Sequence, residues 1–162
     1  MKTVNSFFSL LLVLLLMLTV TACGKKNDGK DMISTDSNSS AVTLKDGEYD
    51  ASAADYDDDG YRAEVKVVIK DGAVYSVDCD EVHRGGGSKK SHSESGKYNM
   101  KQGGAQHEWH EEIALFEKYV TEKGIDAVTV KGNGKTDAVA GCTITVDKYV
   151  QLIKKAIGKA KE

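Results

Sequence analysis

Asp137-Ala138-Val139-Ala140-Gly141-Cys142-Thr143-Ile144-Thr145 is the stretch on which the reading of this chain turns. It follows a glycine-spaced loop, Lys131-Gly132-Asn133-Gly134-Lys135, and precedes a helical run, Val146 to Ala160. Small residues around one glycine let the backbone turn tightly where a larger side chain would clash. The turn presents two hydroxyls, Thr143 and Thr145. A hydroxyl is a weak nucleophile that needs outside activation. On residue chemistry alone this is a polar turn before a helix, with Thr145 placed to act as its N-cap.

Working outward, the run after the turn puts Val146, Val150, Ile153 and Ile157 on one helical face, with Tyr149 beside it. Lys154, Lys155, Lys159 and Lys161 near its end suit the helix dipole. Before the glycine-spaced loop, Ile125 to Val130 reads as a short strand. Gln106 to Glu122 reads as a second long helix, with Trp109, Ile113, Phe116 and Val120 facing the core and Gly124 ending it. His107 and His110 on this helix read as solvent-exposed rather than as metal ligands, since spacing fixes no third ligand. His83 to Gly96 reads as a long loop of Gly, Ser and Lys, of the kind used for binding or left mobile.

Further back the period changes from helix to strand. Tyr49, Ala51 and Ala53 alternate with polar residues. Tyr61, Ala63, Val65, Val67 and Ile69 share one face of a clearer strand, and Asp71-Gly72 is a hairpin signal. The alternation of the third strand, Ala73 to Val82, slips, which predicts a bulge. These three strands form an antiparallel meander. Between the first two, Asp55-Tyr56-Asp57-Asp58-Asp59-Gly60 copies the start of a calcium loop. The twelfth position is Lys66, where such a loop needs a bidentate Glu, so this segment reads as an acidic turn.

The 137–145 stretch resembles the flavinylation motif of the FMN-binding domain family. The family pattern is Asp, two residues, Ser or Thr, Gly, Ala, then Ser or Thr, with another hydroxyl two residues on. Asp137 matches the acid, Gly141 the glycine, Thr143 the acceptor and Thr145 the trailing hydroxyl. Ala140 stands where a hydroxyl is usual and Cys142 where alanine is usual; both are small. The resemblance spans about residues 46–160. It implies a small α+β domain in which an antiparallel sheet is packed by two main helices. It also implies a cofactor site of Asp137, Ala140, Gly141, Cys142 and Thr143, with FMN joined through its phosphate to the Thr143 hydroxyl. The glycines of the 83–96 loop would lie near the flavin.

The N-terminus carries a different signal. Met1-Lys2 is followed by a nearly unbroken apolar run from Phe7 to Val20, the length of a signal-peptide core and short for a membrane span. It ends in Val20-Thr21-Ala22-Cys23, which resembles a bacterial lipobox, with Cys23 as the lipidated residue after cleavage. Residues 1–22 therefore read as a lipoprotein signal peptide, 23–45 as the lipidated cysteine and a flexible tether, and 46–162 as the FMN-binding domain. Gly24 to Thr43 is rich in Lys, Asp, Ser, Asn and Gly, which cannot bury enough surface to fold. As a coil it would span roughly 25 Å.

Removing residues 1–22 leaves 21 basic against 25 acidic residues, a net charge of −4, which argues against nucleic acid as a partner. Cys79 and Cys142 remain. In an exported domain they are a candidate disulfide pair, with small buried thiols as the alternative. The expected function is thus an extracytoplasmic redox carrier, lipid-anchored at the cell membrane. FMN would pass electrons from a membrane donor to an extracellular acceptor or reductase. The chain has no Rossmann fingerprint, so a separate flavin transferase would supply FMN from FAD. No acid, base and nucleophile set marks it as a self-contained enzyme. The competing readings are FMN held noncovalently by the same turn, and a flavin-free surface lipoprotein acting as a binding or antigenic module.

Overall fold

The computed structural model describes residues 43–161. The expected signal peptide, Cys23 and nearly all of the expected tether lie outside the described residues. Three strands, β1 (Gly47–Ser52), β2 (Tyr61–Lys70) and β3 (Ala73–His83), form an antiparallel sheet in the order β1-β2-β3. The β2–β3 turn has positive φ at both Asp71 (54°) and Gly72 (73°), the twist-matching type I′ geometry. Asp46 fastens it, its carboxylate accepting from the Gly72 N–H at 2.9 Å and the Asp71 N–H at 3.1 Å. The predicted bulge is present. Val68 pairs with Ser76 and Ile69 with Val74, so Tyr75 is the extra residue. Tyr75 turns outward, its ring under the Lys70 ammonium at 3.7 Å.

One sheet face is apolar and covered. Ala51, Tyr61, Ala63, Val65, Val67, Ile69, Val77 and Cys79 are all buried. Two helices lie on this face: α2 (Trp109–Lys123) over β3 and α3 (Asp147–Lys159) over β1 and β2. The α2 stripe of Trp109, Ile113, Phe116 and Val120 is buried as its spacing predicts, and so are Tyr149, Val150 and Ile153 of α3. Tyr149 joins the two helices, its ring centroid 6.4 Å from that of Trp109 and 6.3 Å from that of Phe116. The α+β architecture is the expected one.

Several local expectations are corrected. The 83–96 segment holds a helix, α1 (Lys89–Glu94). Ser88 and Ser91 cap it reciprocally, with Ser91 N–H donated to Ser88 Oγ and Ser88 N–H to Ser91 Oγ. A serine replaces the usual Glu or Gln of such a box, which hides the signal. Helix α2 starts at Trp109 rather than Gln106, because Glu108 is extended and its carboxylate accepts from the Met100 and Lys101 N–H groups. Gly124 ends α2 as expected. His110 is not solvent-exposed: its Nδ1 lies 2.9 Å from Ser93 Oγ, tying α2 to α1. Ile125 to Val130 is not a strand. Ile125–Ala127 is one turn of 3-10 helix, and only Val130 makes a bridge, to Thr136. Ile125 and Val128 are buried beside the helices without a neighbouring strand to pair with.

Asp57 closes the acidic turn, its carboxylate accepting from Tyr61 N–H at 2.7 Å. Among the described residues, no group of three or more His, Cys, Asp or Glu side chains is arranged to hold a metal ion. The candidate disulfide is absent: Cys79 and Cys142 are both buried free thiols. Cys79 sits on the inner face of β3, Cys142 inside the motif turn. Burial, and then the nearby Glu117, pushes the Cys79 thiol well above its ordinary pKa; burial and Glu112 push Cys142 up to about 11. Both are therefore poor thiolates.

Two outcomes are expected. Alkylating the protein in denaturant without reductant labels both Cys79 and Cys142, read by intact mass; two unlabelled cysteines would mean a bond. Phe116→Ala, at a position with 0% exposure, costs about 3–5 kcal/mol in denaturant unfolding, whereas Glu122→Ala on the exposed side of α2 changes stability by less than about 0.5 kcal/mol.

Candidate functional site

The motif turn closes on its backbone. Cys142 N–H bonds to the Val139 carbonyl at 3.2 Å, and Gly141 has φ +81°. A Cβ at Gly141 would stand 3.1 Å from Leu115 Cδ1 of α2. Glycine is thus needed for its φ, and a side chain there would also make the Leu115 side chain give way. No hydroxyl at position 140 takes part. Ala140 is exposed, while Val139 and Cys142 point inward and are buried.

The turn is held to α2 by one carboxylate. Glu112 is 1% exposed. It accepts from the Thr143 N–H, from the Ile144 N–H at 3.0 Å, and from the Thr143 hydroxyl, whose Oγ1 is 3.0 Å from both carboxylate oxygens. Asp137 has a different place. It is 79% exposed on its side chain and pairs with Lys131 across the glycine-spaced loop.

The loop also corrects the expectation for Thr145. The carbonyl of Gly134 accepts from Val146 N–H at 2.7 Å and Asp147 N–H at 3.2 Å. The position before α3 is Val146, and no side chain caps it. The first N–H groups of the helix are satisfied by a backbone carbonyl from outside it. The close packing needs Gly134, where a Cβ would meet Thr145 Cγ2 at 2.9 Å.

Beside Thr143 lies a cleft of about 340 Å³. Of the five expected cofactor residues, Thr143 lines it, and Asp137, Ala140, Gly141 and Cys142 do not. Ile144 and Thr145 continue the motif side of the wall. Trp109 from the start of α2 belongs to the lining but is only 3% exposed, and the half-buried Tyr98 and Met100 from the segment before it provide the ring and apolar surface. Lys89, Lys135 and Lys148 contribute three ammonium groups against one carboxylate in this lining, Glu81.

Glu81 is on the inner face of β3 and has 0% exposure. Lys89 Nζ donates to it at 2.9 Å, and the Tyr149 hydroxyl and Lys148 Nζ also bond to it. Burial alone would raise its pKa, but Lys148, Tyr149 and Lys89 outweigh burial and hold it below the ordinary carboxylate value. Lys89 shows the mirror case: burial would discharge it, and Glu81 keeps its pKa above the usual one. The Lys89 ammonium lies over three rings, 4.7 Å from the centroid of Tyr98, 4.8 Å from Tyr61 and 5.5 Å from Trp109. Burial, then Glu81, pushes the Tyr149 pKa far up, so its hydroxyl keeps its proton.

Neither Glu112 nor Glu81 is prominent in the sequence reading. The signal was present in both. Position 112 is three after Trp109 and four before Phe116, on the buried stripe of α2. Position 81 continues the inward series Val77, Cys79 on β3. A charge on an apolar period marks a buried, partnered group. The glycines of the 83–96 segment do not line the cleft; Lys89 is its contribution.

The cleft suits an anionic aromatic ligand: a half-buried phenol for a ring, Lys135 and Lys148 for an anion, and an exposed threonine at its edge. Comparison with known proteins agrees. A family model described as FMN-binding domain matches residues 60–158. A solution structure of a protein from Clostridium thermocellum is 39% identical, covering 74% of this chain and 94% of that one, with a TM-score of 0.56. A crystal structure of a Clostridium perfringens protein is 26% identical, covering 73% of this chain and 89% of that one, with a TM-score of 0.57. No curated protein matches significantly. The chain belongs to the FMN-binding domain family, and FMN is its cofactor.

Proposed function

We propose that the protein is a lipid-anchored extracytoplasmic electron carrier whose FMN is joined through its phosphate to Thr143. The observation that carries this reading is the position of Thr143. Of the five residues expected to hold the cofactor it is the one at the cleft, on a turn fixed by Glu112, with Lys135 and Lys148 in the same lining. A phosphate attached to its oxygen would meet positive charge, and the half-buried Tyr98 offers surface for a flavin ring. When bound, FMN supplies the reversible uptake and release of electrons. The chain's own residues bind it, orient it and set the charge around it. Lys89 stays protonated beside Glu81, and with Lys135 and Lys148 in the same lining basic side chains outnumber acidic ones, which favours electron-rich states of a ligand there.

Ala140 and Cys142 are compatible with attachment, because the turn closes without a hydroxyl at 140 and holds Cys142 as a small buried residue. A flavin transferase is the proposed donor of FMN, and a membrane donor and an extracellular acceptor or reductase are the proposed redox partners. The lipobox at Cys23 supports placement at the outer side of the cell membrane.

Coexpression with a flavin transferase is expected to add the mass of FMN less one water. Thr143→Val removes the oxygen at nearly constant volume and abolishes the increment; Thr143→Ser retains some labelling; Thr145→Val labels like the parent. An increment on Thr143→Val would refute the acceptor assignment. A yellow parent that loses its colour on denaturation would instead mean noncovalent FMN. Separately, Cys23→Ser is expected to release the protein from the membrane fraction. Retention after a high-salt wash would show that a lipid on Cys23 is not the anchor.

A further inference from the structure

Glu112 is the buried group that the function above leaves without a chemical part. Its carboxylate receives the hydroxyl of Thr143 on both oxygens at 3.0 Å, together with the N–H groups of Thr143 and Ile144. The charge sits at the motif side of α2, where Cys142 is its buried neighbour. A clamp for the turn would need only the two N–H contacts. The hydroxyl contact does something further: it directs the Thr143 proton inward and leaves the oxygen's lone pairs turned away from Glu112.

We propose that Glu112 positions the Thr143 hydroxyl and accepts its proton during flavin attachment. This rests on Thr143 being the acceptor. In the step, Thr143 Oγ1 forms a bond to the phosphorus on the flavin side of a flavin dinucleotide's pyrophosphate. The pyrophosphate P–O bond breaks and the adenylate half leaves with that electron pair. The Thr143 proton passes to the Glu112 carboxylate, and from there to solvent. Nothing is oxidised or reduced. The transferase brings the dinucleotide, and this chain brings both the nucleophile and the base that activates it. A proton transfer of this kind contributes on the order of 10²–10⁴-fold.

The test uses the full chain, purified flavin-free in detergent from cells without a transferase, then incubated with transferase and FAD. Labelling is followed by intact mass at several concentrations of the chain, which separates kcat from KM. Glu112→Gln is expected to lower kcat by about 100-fold or more, with KM within about two-fold of the parent. Glu112→Asp, which keeps the charge but withdraws it by one methylene, is expected to recover part of kcat. Thermal unfolding of the flavin-free variants is measured alongside. Partial rescue by Asp with both variants folded supports the proposal, as does a dead Gln variant with a parental KM. A Gln variant that labels at the parental kcat overturns it. So does a kcat that follows thermal stability alone across the parent and the Gln and Asp variants, because that is the behaviour of a clamp. If the parent is labelled but not at Thr143, the acceptor reading fails as well, and peptide mapping of the labelled site tells the two failures apart.

Discussion

A carboxylate taken out of water must be met by donors, and Glu112 is met almost entirely by one turn of chain. Leaving a buried charged group without its hydrogen-bond donors costs at least about 1–3 kcal/mol, so the helix and the turn fix each other. Trp109, Ile113 and Phe116 seat α2 on the sheet, and Glu112 projects from that seated helix toward the motif. The place of Thr143 is therefore inherited from the hydrophobic core through a single side chain. The turn's backbone geometry, with Gly141 at positive φ against Leu115, completes the fit.

Glu81 does the same on the other side of the cleft. It gathers Lys89 from α1, and Lys148 and Tyr149 from α3, onto β3. A hydrophobic residue at 81 would take the acceptor from the buried Tyr149 hydroxyl and leave Lys89 buried without a counter-charge. Lys89 would then shed its proton or move to water. The carboxylate is thus what lets Lys89 stay charged in the wall of a cleft.

The sheet and both long helices were legible in the sequence because each has a clean period. Alternation from Tyr61 to Ile69 and the 109-113-116-120 stripe predict burial residue by residue, and the slip in β3 predicts the bulge at Tyr75. The rest depends on contacts between segments distant in sequence. Helix α1 hides behind Gly and Ser because its stability comes from Tyr61, His110 and Glu117, through bonds to His92, Ser93 and Lys90. Ile125 to Val130 carries strand-like residues but has no strand beside it. The site divides in the same way. Thr143 was visible as a motif residue; Glu112 lies 31 positions away and Glu81 lies 68 positions from Tyr149, and only folding brings such pairs together.

The fate of Thr145 shows how the turn keeps its hydroxyls available. A threonine before a helix ordinarily serves the helix, turning its oxygen onto the first free N–H groups. Here Gly134 gives its carbonyl to Val146 and Asp147, so the helix is satisfied without a side chain. Asp147 in the first turn adds favourable charge at the helix N-terminus. Thr145 is thereby released to line the cleft beside Thr143. The arrangement works only because residue 134 is a glycine: any Cβ there would press on Thr145 and Asp147. The glycine-spaced loop and the motif turn are one device. The loop supplies the cap that the motif would otherwise have to supply, and both motif threonines line the cleft while neither caps α3.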